Sequence, residues 1–275
     1  MKRILVPTDF SEHAGYALKV ASQIAKKNNG EIFLLHMLDL PSQANDVMGP
    51  GSDVPEIMFF MQKARERFEE IKQSPHLEGI PVTEAVQFER AFEGIIQSSK
   101  KHNIDLIVMG SHGASGFQEM FIGSNTEKVV RTSDVPVLVI KKEENDFNPE
   151  RFVFASDFSP ETEKPFAKAV DFANAFNAEL NLVFINTPND FISTHEAERL
   201  INNFADKFDI KNNYQAHIYN DVNVEKGILN FTNKINADLI GMSTHGRKGL
   251  AHFFNGSISE DLVNHAVRPV ITFKI

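Results

Sequence analysis

The chain has 275 residues, 42% of them hydrophobic and none of them cysteine. That is enough apolar material for one large core or two modest ones, and it excludes both a disulfide framework and a thiolate metal site. With 37 acidic against 28 basic residues the formal charge is -9, which excludes a nucleic-acid partner held by clustered Lys and Arg. No apolar run approaches the length of a membrane span, and Ile4-Leu5-Val6 is broken at once by Pro7, Thr8 and Asp9. The sequence therefore predicts no membrane partner and no secretion signal, and the expected location is cytoplasmic.

Taken in chain order, Ile4 to Val6 predicts a short strand, and Ala14, Ala17, Leu18, Ala21, Ile24 and Ala25 then recur with helical period. Ile32 to Leu35 reads as the second strand. The Pro/Gly/Asn-rich stretch 40–55 that follows fits either a lid or a disordered connection. Ile57 to Ile71 predicts a helix, whose Met58, Phe59, Phe60 and Met61 fit a partner surface or, as such a stripe more often does, the core or a contact with another domain. Val82 to Phe88 alternates as a strand does, Ala91 to Lys101 has helical period, and Leu106 to Met109 is a buried strand. Gly123 to Thr132 predicts a helix and Val137 to Ile140 a last strand. Strands alternating with helices of these lengths predict an α/β fold with a doubly wound parallel sheet of five strands, and ligands at the carboxyl ends of the strands.

The pattern then repeats. Residues 104–124 align without a gap on 237–257, sharing among others Asp105/Asp238, His112/His245, Gly113/Gly246, Gly123/Gly256 and Ser124/Ser257 at a spacing of 133. Asp9-Phe10-Ser11 returns as Asp157-Phe158-Ser159 at a spacing of 148, and VPVLVIK (135–141) as RPVITFK (268–274). Two tandem domains follow, 1–142 and 150–275, joined by the polar stretch 142–150. In the second, Ser159 is a candidate N-cap and Pro160 suits a first helical position.

Glycines at 110, 113, 116 and 123 lie between the strand ending at Met109 and the helix opening at Ser124. Such a loop gathers backbone N–H groups and the positive end of a helix, which makes it an anion site. Glycine there permits positive φ and close approach of a phosphate, and Ser124 adds a hydroxyl donor. A tight strand-to-helix connection with no ligand uses the same glycines, so spacing alone leaves both readings open.

Gly110, two residues, Gly113, nine residues, then Gly123-Ser124-Asn125 resembles the nucleotide-binding signature of the ATP-binding branch of the universal stress protein family. The opening ILVPTDFSEHAGYAL and the closing VPVLVIK look like that family's first and last elements. The resemblance covers both halves. It implies a Rossmann-like five-stranded parallel sandwich in each, with last strands that pair between domains, here as an intramolecular pseudo-dimer, and further homodimerisation left open. It implies adenine-nucleotide binding: Asp9 at the adenosine end beside Pro7 and Thr8, Met37 against adenine, and Met109 and Gly110 beside the ribose and α-phosphate. Gly113, Gly123, Ser124 and Asn125 would cradle the phosphates, with His112 as a further donor. ATP is the expected ligand, with ADP and AMP as alternatives and Mg²⁺ as a companion.

The second half departs from the signature at Ser243 (for Gly110) and Ile258 (for Asn125), so its set of Asp157, Ile185, Gly246, Gly256 and Ser257 is a degenerate second site. No Lys or Arg lies between Gly110 and Asn125, and Glu119 is the lone carboxylate there. Phosphoryl transfer needs positioned metal ligands and cations. The sequence accordingly points to a nucleotide-binding stress-response regulator with no catalytic residue assigned. The alternatives are slow ATP hydrolysis, or an adaptor working through its surfaces without nucleotide.

Overall fold

The computed structural model describes residues 1–38, 54–113, 122–211, 213–244 and 256–275. The stretch 40–55, apart from the helical start at Val54, lies outside the described residues, as do Gly116 and Glu119.

The first half runs β1 (Arg3–Thr8), α1 (Glu12–Asn28), β2 (Glu31–Met37), α2 (Val54–Lys72), β3 (Val82–Gln87), α3 (Ala91–Lys101), β4 (Leu106–Gly110), α4 (Ser124–Thr132) and β5 (Val137–Ile140). The second runs β6 (Arg151–Ala155), α5 (Glu163–Phe176), β7 (Glu179–Asn186), α6 (Thr194–Ala205), β8 (Tyr214–Asn220), α7 (Val224–Lys234), β9 (Leu239–Thr244), α8 (Gly256–His265) and β10 (Val270–Lys274). Every expected element of the first half is present, with ends moved by a few residues.

Within each half all strand pairs are parallel. The halves join where β5 meets β10 antiparallel, with Leu138 opposite Ile271, giving one sheet of ten strands in the order β3-β2-β1-β4-β5-β10-β9-β6-β7-β8. The strands are apolar on both faces because both faces are covered. On one side Ile4, Val6, Leu34 and Val108 pack with α1, α2, α5 and α6 through residues such as Leu18, Phe68, Phe166 and Ile201. On the other Leu5, Leu35, Ile107 and Val139 pack with α3, α4, α7 and α8 through Ile95, Val129, Ile228 and Leu262. Each layer is continuous across the junction, so the pseudo-dimer has a shared core as well as shared strands.

Two expectations are corrected. Met58, Phe59 and Phe60 are 64%, 55% and 43% exposed, and α2 instead buries Ala64 and Phe68. Ser159 and Pro160 do take the N-cap and first positions, but of a 3-10 turn, Pro160–Thr162, ahead of α5 and without a side-chain bond from the cap, whereas in the first half Ser11 caps α1 directly by accepting from the Ala14 N–H at 3.3 Å.

The linker is packed structure. Gln23 of α1 donates its side-chain amide to the Glu144 and Asn145 carbonyls and accepts from the Phe147 N–H, while Lys27 donates to Asn148. Phe147, 7% exposed, meets the edge of Phe176 at 5.6 Å between ring centroids.

Candidate functional site

At the carboxyl ends of β1, β2 and β4 lies a cavity of about 310 Å³, at the lower end of the range for small-molecule sites. Pro7, Thr8, Asp9, Met37, Met109, Gly110, His112, Gly113, Gly123, Ser124 and Asn125 all line it, so the eleven residues expected in the first half converge on one space. Ala14, Leu35, Ala91, Ile95 and Thr126 complete the wall. The sequence reading missed these five, although Thr126 follows the glycine at the spacing of one helical turn, a signal that could have found it.

Asp9 is placed by an unusual turn. Phe10 has φ of 63°, and its counterpart Phe158 has 55°, a region bulky side chains rarely adopt. The same two hydrogen bonds support it in each half: Phe10 N–H to Thr8 Oγ1 and Ser11 N–H to Asp9 Oδ1, both 3.0 Å, repeated as Phe158 to Ser156 at 2.9 Å and Ser159 to Asp157 at 3.1 Å. The Phe10 ring then packs on His36 and Phe68 at 4.4 and 5.5 Å, which ties the turn to the core. Asp9 thereby serves the turn and borders the cavity, rather than capping α1.

The three described glycines have different reasons, and none of them has positive φ. A Cβ on Gly110 would lie 2.6 Å from the His13 carbonyl oxygen, so glycine here lets β4 close on the first turn of α1. On Gly113 it would lie 2.6 Å from Asp9 Oδ2, against the carboxylate itself. On Gly123 the nearest atoms, Gly113 N and Ser111 O, would be 3.7 Å away, an ordinary contact. The chain's own packing therefore does not demand glycine at 123; its effect is to leave backbone bare beside the cavity.

Gly123 precedes α4, and among the described residues no side chain caps that helix. The first-turn N–H groups of α4 thus open on the cavity with the positive end of the helix dipole behind them. The loop is held from below by Gly123 N–H to Ser111 O at 2.7 Å and Thr126 Oγ1 to Gly110 O at 3.0 Å. His112 bonds Ser111 through Nδ1 at 2.9 Å and stands 5.1 Å from the His13 ring. Met37 lies over Gly94 of α3, where a Cβ would come within 2.8 Å of its sulfur. Its thioether forms the apolar end of the cavity with Leu35 and Ile95.

The second half reaches into this site. Asn264 of α8 accepts the Ile122 N–H, and its backbone oxygen accepts Lys141 Nζ at 3.3 Å. Burial pulls the Lys141 ammonium down to a pKa of about 8. Its counterpart Lys274 pairs with Asp134 at 2.7 Å, but the residue matching Asp134 is Val267, so Lys141 lacks that carboxylate.

Of the residues expected at a second site, the side chains of Asp157 and Ile185 are described. Ile185 is 5% exposed and packs over Gly227 on the α7 side, where a Cβ would collide with it. Asp157 borders an open pocket of about 680 Å³ on the α6 side with Phe184, Phe191 and Arg199. Gly246 lies outside the described residues, and Gly256 and Ser257 open α8. Ser243 is fully buried, its hydroxyl has no partner among the described residues, and in the second half it stands at the position that matches Gly110.

The sequence model of the universal stress protein family matches residues 1–141 and again 149–274. The chain belongs to the universal stress protein family. Universal stress protein MJ0577 of Methanocaldococcus jannaschii is 32% identical over 154 residues, covering 51% of this chain and 95% of that protein. Universal stress protein Slr1230 of Synechocystis is 22% identical over the whole of both chains. Among solved structures, a universal stress protein from Archaeoglobus fulgidus superimposes with a TM-score of 0.73 at 26% identity, covering 99% of this chain and 96% of the other. This universal stress protein therefore carries two copies of the family domain in one chain. Among the described residues no helix is long and apolar enough to cross a membrane, and no cluster of His, Asp and Glu could hold a metal ion.

Proposed function

We propose that the first half of this universal stress protein binds an adenine nucleotide, ATP first among them, and that the protein acts as a nucleotide-responsive regulator in the stress response. The observation that carries the reading is the uncapped start of α4, facing a cavity whose opposite end is apolar. An anion belongs at the first end and a flat apolar ring at the second. Gly113, Gly123, Ser124 and Asn125 would hold the phosphates; Asp9 would accept from the ribose hydroxyls beside Pro7 and Thr8; Met37, Leu35 and Ile95 would enclose the base. Met109 and Gly110 form the wall between, and His112 is a donor at the phosphate end.

The chemistry favours binding over turnover. Asp9 is the lone carboxylate among the described lining residues, and no Lys or Arg is with it. A Mg²⁺ ion would therefore be held mainly by phosphate oxygens and water. Hydrolysis has no cation to stabilise the leaving phosphates and would run far below the roughly 1 per second of dedicated enzymes. Calorimetric titration with ATP, ADP and AMP, together with a turnover assay with and without Mg²⁺, tests both statements. No heat at millimolar ATP sinks the binding proposal, and turnover near 1 per second sinks the regulatory one.

A further inference from the structure

Lys141 and Lys274 stand at matching positions of the two halves' last strands. Each sends its ammonium across the seam to a carbonyl at the end of the other half's helix: Lys141 to Asn264 of α8 at 3.3 Å, Lys274 to Thr132 of α4 at 3.1 Å. The two differ in charge balance. Lys274 also pairs with the Asp134 carboxylate at 2.7 Å, whereas Val267 stands where Lys141 would find one. Lys141 is half-buried, no acidic side chain pairs with it among the described residues, and burial alone pulls its pKa down to about 8. A partly buried ammonium without a counter-ion costs stability. That cost falls in the half that carries the candidate cavity.

The sheet places Lys141 beside the glycine loop. Gly110 pairs with Ile140 in the parallel register of β4 and β5, and the Ser111 N–H bonds the Ile140 carbonyl at 2.9 Å, so Lys141 follows next to Ser111, one strand spacing away. Ser111 in turn accepts the Gly123 N–H at 2.7 Å. Val137 and Val139 pack in the layer of α4 and α8, and strand alternation turns Lys141 to that same face. Asn264, which accepts the ammonium, also bonds the Ile122 N–H at 2.7 Å, one residue ahead of Gly123.

We propose that Lys141 is the residue that distinguishes a nucleoside triphosphate from its di- and monophosphate: it leaves the Asn264 carbonyl and donates to the terminal phosphate held at the start of α4. This rests on nucleotide binding by the first half. The flexible four-carbon stem of lysine lets the ammonium make that move. It exchanges a neutral acceptor for an anion, which strengthens the hydrogen bond and supplies the missing counter-ion. With ADP or AMP the ammonium stays on Asn264. The contact falls on the transferring phosphate and not on the leaving diphosphate, so it adds to binding without supplying what hydrolysis lacks.

Calorimetric titration of the full chain with ATP, ADP and AMP, for the parent and for Lys141→Met, tests the assignment. Methionine keeps an apolar stem in place and removes the charge. ATP affinity should fall about tenfold, the scale of one charge-assisted hydrogen bond, while ADP and AMP affinities stay within about twofold. Val267→Asp, at an exposed site, keeps Lys141 and gives it the carboxylate that Lys274 has. It should likewise weaken ATP and spare AMP. Equal losses for ATP and AMP in Lys141→Met would mean that the lysine acts only through the end of α8. That result, a loss for ADP as large as for ATP, or an unchanged ATP affinity in both variants would each overturn the proposal. A parent chain that binds ATP and AMP equally overturns this proposal alone, and one that binds neither overturns the nucleotide reading with it.

Discussion

The Asn264 side-chain oxygen of the second half accepts the backbone N–H of Ile122 at 2.7 Å, one residue ahead of the glycine that opens α4. The loop that faces the candidate phosphate position is thus fixed by a residue from the other domain. Asn264→Ala removes the acceptor and leaves the Ile122 N–H without it. We expect stability to fall by about 1 kcal/mol and nucleotide affinity to weaken by several-fold, both measurable by melting and calorimetry. Affinity equal to the parent's would show that α8 does not steady the loop.

Gly113→Val tests the other wall. Its Cβ would meet the Asp9 carboxylate, the far end of a side chain that can turn away, so the fold should survive while Asp9 leaves its position. Affinity should drop by roughly tenfold or more, about 1.4 kcal/mol per decade, with little change in melting temperature.

Gly110 behaves differently because the atom facing it is backbone. Gly110→Ala pushes a methyl group at the His13 carbonyl, which cannot swing aside without moving α1. Overpacking of this kind costs about 1–3 kcal/mol, seen as a lower denaturant midpoint with or without nucleotide. In the second half the equivalent Ser243→Gly should be tolerated, since its hydroxyl is buried without a partner among the described residues.

Lys141 gives a pH signature. Its folded pKa, about 8, lies below the ordinary value of 10.5. Between those values the unfolded chain binds more protons, so this group makes stability rise with pH across that window. Val267→Asp, at a site 67% exposed, restores the carboxylate that Lys274 enjoys from Asp134. It should raise the Lys141 pKa, flatten the rise between pH 8 and 10.5 and stabilise the protein at neutral pH by about 0.5–1 kcal/mol, the scale of a partly exposed pair. A melting curve against pH for the two proteins decides it.

Much of this could be read from the sequence because parallel strands and duplicated motifs leave strong local marks. Apolar runs such as Leu106 to Met109 gave the strands, and the repeat of Asp9-Phe10-Ser11 and the glycine loop gave the two domains. The eleven residues of the first site came together because they lie on the carboxyl-terminal residues of β1, β2 and β4, just beyond β1 and β4, or at the start of α4, all at the same edge of the sheet. What stayed hidden depends on distant partners. Gly110 reads as a ligand glycine until His13 is seen against it. Met58 to Phe60 read as core until α2 is seen to turn Phe68 inward. Ser159 and Pro160 carry the marks of a helix start, yet the chain tightens into a 3-10 turn first. The packing of the linker through Gln23 has no sequence signal, since a polar stretch between domains looks the same whether bound or loose.

The antiparallel join of β5 to β10 also has a consequence for inheritance within the molecule. Each half meets its complement by covalent guarantee, so no free copy of the first half competes for the same seam. Substitutions such as Ser243 and Ile258 can then accumulate in one half while the other keeps a full complement of loop glycines. A gene pair encoding separate chains would lose that division of labour whenever two altered halves met.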